Sequence, residues 1–235
     1  MRWRIRARWA ALAAGVVLIL TGAGIIVSGA YASWLGQENA TARQYNDENA
    51  LGAWNAGGSQ ALAGAASGAT ALQSSSPSAS VSAAPATASG CGGGSEPDAF
   101  ALLEFTGLPQ YGYAGVVVNG NWTLLDDSSV VHWYGSPAPG GEGNVIIAFH
   151  REPDFQNIDE LTSGDTLSLQ DRSCNTYVYT VTQRWDLAPN AVTQLVPTSG
   201  HLLTLITCTP WWVDTQRLVW RAELTSVNGT PVPAS

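Results

Sequence analysis

The sequence predicts an all-β head carried at the end of a membrane-anchored, low-complexity arm. Three observations carry this reading. From Ala99 onward, short runs of β-branched and aromatic residues alternate with turn formers. Between Glu48 and Glu96 lie 47 residues without a formal charge, dominated by Ala, Gly and Ser. At the N-terminus, Arg2, Arg4, Arg6 and Arg8 precede a charge-free run of 22 residues from Ala10 to Tyr31.

The first element is that apolar run. As a helix it would rise about 33 Å, against a bilayer hydrocarbon core of about 30 Å. Positive charge before the span predicts a cytoplasmic N-terminus and an extracellular remainder. A cleaved export signal is the rival reading, because small residues come after the run, but its apolar region would be only about 7 to 15 residues long. Residues 1–9 are thus read as a basic cytoplasmic end and 10–31 as a transmembrane helix, giving a single-pass protein of the cell membrane.

Residues 32–96 read as an extracellular linker. Its first part, "LGQENATARQYNDENA" at 35–50, is polar enough to prolong the membrane helix into the aqueous phase. The remainder has too few large apolar side chains to build a core, and its Gly, Ser and Pro content suits a tether.

The head spans 97–227, with a short tail at 228–235. Its candidate strands are "YAGVVVN" near 113–119, "WTLLD" near 122–126, "NVIIAFH" at 144–150 and "TLSLQD" at 166–171. They continue with "TYVYTVTQRWDL" at 176–187, "HLLTLITC" at 201–208 and "RLVWRAEL" at 217–224. "NGN" at 119–121 suits a tight hairpin and "SGD" at 163–165 another turn, while "EPDFQNIDEL" suits one short helix. Seven or eight short strands with little helical periodicity predict a closed barrel or a sandwich.

Charge narrows the function classes. All 10 basic residues are Arg, against 18 acidic ones, for a net charge of −8. A nucleic-acid partner is therefore not expected. In the head, the reactive inventory is short: Cys174, Cys208, His132, His150 and His201. Cys208 and His150 each end a strongly apolar strand, a position from which a side chain can project while its neighbours stay anchored. Arg217 opens the strand after Cys208, and either it or Arg221 could supply fixed donors to a developing oxyanion and favour a thiolate.

The ordered set "GEGNVIIAFHR", "LTSGD", "LLTLITCTP" and "QRLVWRAEL" resembles the sortases, Gram-positive cell-surface cysteine transpeptidases, and most of all the housekeeping-type class E sortases of actinobacteria. The likeness runs from about Glu104 to Leu224, and "HWYGSPAPGGEGN" extends it ahead of His150. It implies an eight-stranded closed β-barrel with short helices. It also implies Cys208 as nucleophile, His150 as general acid or base, and Arg217 as stabiliser of substrate and oxyanion. The implied substrate is an exported protein with a C-terminal LPxTG- or LAxTG-like sorting signal, cleaved between Thr and Gly through a thioester. An amine of a peptidoglycan precursor or a pilin would resolve it. Phe149 departs from the pattern, standing where Gly often precedes the histidine, and a bulky ring there could narrow the groove or turn His150. Two alternatives stand beside this reading: a hydrolytic cysteine peptidase, or an impaired binding or adhesion module that keeps the barrel.

Other residues carry weaker expectations. Trp211, Trp212 and His132 are candidate substrate contacts, the two Trp because rigid aromatic faces bind apolar groups at low ordering cost; each is also readable as a structural residue. His201 reads as structural. Cys91 and Cys174 form a candidate disulfide that would leave Cys208 free, with Cys174 as a free thiol the alternative. No cofactor or metal site is expected, since the Cys and His spacings match no zinc pattern. Asp154, Asp159 and Glu160 could bind calcium but lack a dedicated ligand pattern.

Overall fold

A computed structural model describes residues 39–57, 91–93 and 98–233. The span read at 10–31 and much of the linker lie outside these residues. The chain divides into the units Met1–Ala42 and Arg43–Ser235, and the barrel with its reactive residues belongs to the second.

Among the described residues, nine strands form in chain order: β1 (Ala101–Glu104), β2 (Ala114–Gly120), β3 (Val130–Trp133), β4 (Gly143–Phe149), β5 (Thr166–Asp171), β6 (Thr176–Leu187), β7 (His201–Thr209), β8 (Gln216–Val227) and β9 (Thr230–Pro231). The sheet runs β6-β5-β1-β2-β3-β4-β7-β8, and pairing of β6 with β8 closes it into the expected eight-stranded barrel. The two-residue β9 only extends the edge of β8. Two pairings are parallel, β2 with β3 and β4 with β7, and both need a crossover.

Alternation builds the interior. Val145, Ile147 and Phe149 from β4 meet Leu203 and Leu205 from β7 and Leu218, Trp220 and Ala222 from β8 in one buried cluster. The Trp220 indole N–H donates to the Leu161 carbonyl at 2.9 Å, so the largest interior ring keeps its polar atom paired. Tyr179 is buried in the same cluster, and its hydroxyl oxygen accepts from the Gly140 N–H at 2.7 Å. Burial pushes its phenol up to about 12, so the ring stays neutral.

Several expectations are corrected. "WTLLD" is a 3-10 helix, η1 (Trp122–Asp126), capped by the Asn121 side chain accepting from the Thr123 N–H. The "NGN" hairpin does not form, because β2 and β3 run parallel and a tight turn cannot join parallel strands. The chain crosses through η1 instead. The short strands β1 and β3 carry too few residues to show a period. "EPDFQNIDEL" yields only the 3-10 turn η2 (Ile158–Glu160).

Part of the segment read as linker is ordered against the head. Residues 39–57 form a helix, α1, whose Trp54 is 2% exposed in a second cluster with Ala99, Leu102 and Val116. Leu102 and Val116 are the outward-facing neighbours of interior residues Leu103 and Val117, so α1 covers the outside of β1 and β2. Trp54 donates its indole N–H to Gln170 at 3.2 Å. The end of α1 is also clamped: the Gly93 N–H donates to the Ala53 carbonyl, and Cys91 is joined to Cys174 by a disulfide.

Phe149 belongs to the core. It is 3% exposed and packs between Phe155 and Trp220, with ring centroids 5.3 and 6.3 Å away. The ring therefore faces the barrel interior, away from the outer face to which the next residue, His150, projects. Phe149→Ala should accordingly cost about 3–5 kcal/mol in urea unfolding. Thiol titration of the unreduced, unfolded chain should find one free thiol, Cys208, and three after reduction.

Candidate active site

Strand register assembles the site. β4 and β7 pair in parallel, Val145 opposite Leu203 and Ala148 opposite Ile206. Two residues further along the same register stand His150 and Cys208. Both have the parity opposite to the core residues of their strands, so both project from the outer face of the barrel. On the other side of β7, Cys208 lies directly across the antiparallel ladder from Arg217 of β8. The Thr207 hydroxyl donates to the Phe149 carbonyl at 2.6 Å and ties the two strand ends together just before the reactive pair.

His150, Cys208 and Arg217 line one pocket of about 330 Å³. Its walls are largely apolar, from Trp122 and Leu125 of η1, Ala148 and Phe149 of β4, Leu195 and Ile206. Arg221 is not among them. It stands four residues further along β8, opposite Thr204, and donates to the Gln194 carbonyl at 2.9 Å. Of the two arginines left open by the sequence, Arg217 is the one at the cysteine.

Electrostatics set the resting protonation. Burial pushes the Cys208 thiol up; the Arg217 guanidinium opposes this, while Asp214 and Glu152 reinforce it. Burial also lowers the His150 imidazole, with Arg43 of α1 acting in the same sense and the Leu125 carbonyl, Asp214 and Asp126 in the opposite one. His150 Nε2 lies 2.7 Å from the Leu125 carbonyl oxygen, which can only accept, so Nε2 carries a proton and Nδ1 is the nitrogen that titrates. Thiol plus neutral imidazole is thus the resting pair at neutral pH, and thiolate plus imidazolium a minor one.

The segments after His150 and Cys208 grip one another. The Arg151 side chain donates to Thr209 at 2.9 Å and pairs with Asp159 at 2.5 Å. Glu152, 5% exposed, accepts from the Trp212 N–H at 2.6 Å. Of these, Glu152 carries a sequence signal, an acid two residues beyond the histidine. The Leu125 carbonyl carries none, because a backbone acceptor leaves no mark on residue type.

His132, a candidate substrate contact, is not among the residues that line the Cys208 pocket. It is 2% exposed on β3, stacked on Phe100, with Nδ1 2.9 Å from Asn119 and Nε2 2.9 Å from the Pro137 carbonyl. Both ring nitrogens are engaged inside the protein. Trp211 and Trp212 occupy the turn after β7, in edge contact with each other, and neither lines the cysteine pocket. The aromatic residues that line it are Trp122 and Phe149. Asp154, Asp159 and Glu160 do not converge: Asp159 pairs with Arg151 and Glu160 accepts from the Tyr111 hydroxyl. Among the described residues, no cluster of three metal-ligating side chains forms.

The field at Cys208 makes a signed prediction. Arg217→Ala should move the pH dependence of Cys208 alkylation to higher pH, and Glu152→Gln should move it to lower pH. Shifts in the same direction would contradict this charge arrangement.

Residues 107–225 match the family described as "Sortase domain". Solved structures of similar shape include a sortase D5 transpeptidase from Clostridium perfringens, 24% identical, TM-score 0.48, with 55% of this chain and 80% of that chain covered. They also include a lid mutant of sortase A from Corynebacterium diphtheriae, 24% identical, TM-score 0.49, covering 57% and 74%. A third is sortase C from Clostridium perfringens with the C-terminal cell wall sorting motif, 26% identical, TM-score 0.49, covering 56% and 73%. No curated protein matches the chain significantly. The sequence match spans just over half of the chain, and on that basis the chain belongs to the sortase family, whose members are cysteine transpeptidases.

Proposed function

We propose that this protein is a membrane-anchored transpeptidase that cleaves an LPxTG- or LAxTG-like sorting signal between Thr and Gly and transfers the acyl group to an amine. The observation that carries the reading is the convergence of His150, Cys208 and Arg217 in one pocket of a sortase-family barrel. In the competent minority form, the Cys208 thiolate attacks the Thr carbonyl carbon, forming a C–S bond. Arg217 donates to the oxygen as it gains charge. His150 gives its proton to the departing Gly nitrogen, the C–N bond breaks, and a thioester remains on Cys208. The incoming amine attacks the thioester, passes a proton to His150 and expels the thiolate, which restores the starting state.

The apolar walls suit a peptide with few charges. The acceptor would be a peptidoglycan precursor or a pilin amine, and water the default acceptor in its absence. Residues 10–31 would hold the head at the outer face of the cell membrane, and the Cys91–Cys174 disulfide suits an oxidising exterior. The class E kinship rests on the motif likeness alone. The alternative of an impaired binding module would show as sorting-peptide binding without thioester formation; against it stands the packing of the Phe149 ring in the core.

Incubating the protein with LPxTG and LAxTG peptides plus an amine should give a Cys208 acyl-enzyme by mass spectrometry and an amine-linked product. Arg217→Ala should lower kcat by about 10²- to 10³-fold. Equal turnover by Cys208→Ala protein would sink the mechanism.

A further inference from the structure

His150 is held at two points by one short segment. Its backbone N–H donates to the Ser129 carbonyl at 2.9 Å, and its Nε2 donates to the Leu125 carbonyl at 2.7 Å. Both carbonyls lie in the stretch 125–129, which leaves η1 and enters β3 at Val130. The first ladder pair of β3 with β4 is Val130 with Phe149, so strand pairing begins only after this stretch ends.

Part of the support for the stretch comes from α1. Asp47 accepts from the Ser129 N–H at 3.3 Å, and the Asn46 side-chain amide donates to the Asp127 carbonyl at 3.4 Å. Ser129 is 2% exposed, so its N–H has little access to water as a substitute acceptor. Asp47 and Trp54 are seven residues apart, two helical turns, and so share a face of α1. Trp54 is locked under Ala99, Leu102 and Val116, which prevents the helix from rotating Asp47 away from Ser129. The charged groups acting on His150 from the surrounding elements are Arg43 of α1, Asp126 of η1 and Asp214 after β7.

We infer that α1 is a positioning element for His150, with Asp47 acting through Ser129 to fix the 125–129 carbonyls that orient the imidazole toward Cys208. Its effect on rate rests on the transpeptidase reading; its effect on the His150 ring does not. The head matched by the family, 107–225, is thus incomplete as a catalytic unit without a helix that ends 49 residues ahead of it.

The test compares full-length parent protein with Asp47→Ala, Asp47→Leu and Asp47→Asn, by sorting-peptide kinetics and the NMR titration of the His150 ring. Asp47→Ala and Asp47→Leu should lower kcat by about 10- to 100-fold with KM within about twofold, and should displace the His150 ring signals. Asp47→Asn keeps an oxygen that accepts from Ser129 and should stay within about twofold of the parent on both readouts. If Asp47→Ala fails to fold, Asp47→Leu, a good helix former of similar size, carries the comparison. Unchanged kcat and unchanged His150 signals in the variants lacking an acceptor would overturn the inference, as would an Asn variant as impaired as the Ala one. If the parent turns over no sorting peptide, the transpeptidase reading fails, and the His150 ring signals alone decide whether Asp47 positions it.

Discussion

The parallel pairing of β4 with β7 is the constraint on which the site depends. A constant register between the two strands places His150 beside Cys208, and the antiparallel ladder to β8 then sets Arg217 across from the same cysteine. Three side chains from three strands meet without any of them being carried on a long loop. The interior half of the same strands, Ile147, Phe149, Leu205 and Trp220, is close-packed in the barrel core. Sliding β4 against β7 by one residue would turn that set outward, so the geometry of the reactive face is secured by the apolar burial of the opposite one.

The electrostatic setting is a compromise. A half-buried thiol next to two carboxylates resists ionisation, and a half-buried imidazole resists protonation. Arg217 works against the first tendency, Asp214 and Asp126 against the second. The resting pair is therefore neutral, and the ion pair able to attack an amide is a minor population. Glu152 has a second duty that explains its buried position: it holds the Trp212 N–H and so shapes the turn that comes after Cys208.

Segments remote in sequence complete the head. α1, the Cys91–Cys174 disulfide and the Gly93 contact with Ala53 bring parts of a low-complexity arm onto the outside of β1 and β2. Trp54 gives that docking its affinity, being a large ring fully covered by apolar neighbours. Asp47 then reaches the segment that holds His150.

What the sequence by itself determined is the part governed by local periodicity. Strands β5 and β6 have the bounds their alternation predicts, β4, β7 and β8 lie within a few residues of theirs, and the ordered motifs around His150, Cys208 and Arg217 point to a sortase-type barrel. Each of these signals is written in consecutive residues, because side-chain alternation is a property of the strand itself. Tertiary structure alone decided the rest. "WTLLD" has strand-like composition but became η1, since a parallel β2–β3 pair demands a crossover. The burial of His132 on β3 and the inward packing of the Phe149 ring are likewise set by the assembled barrel. Arg217 and Arg221 share a strand face and differ only in what lies across the ladder from each. α1 begins in the polar stretch read as prolonging a helix, but its docking on the barrel was not legible, because one Trp and one Asp two turns apart mean little until the surface they fit is present.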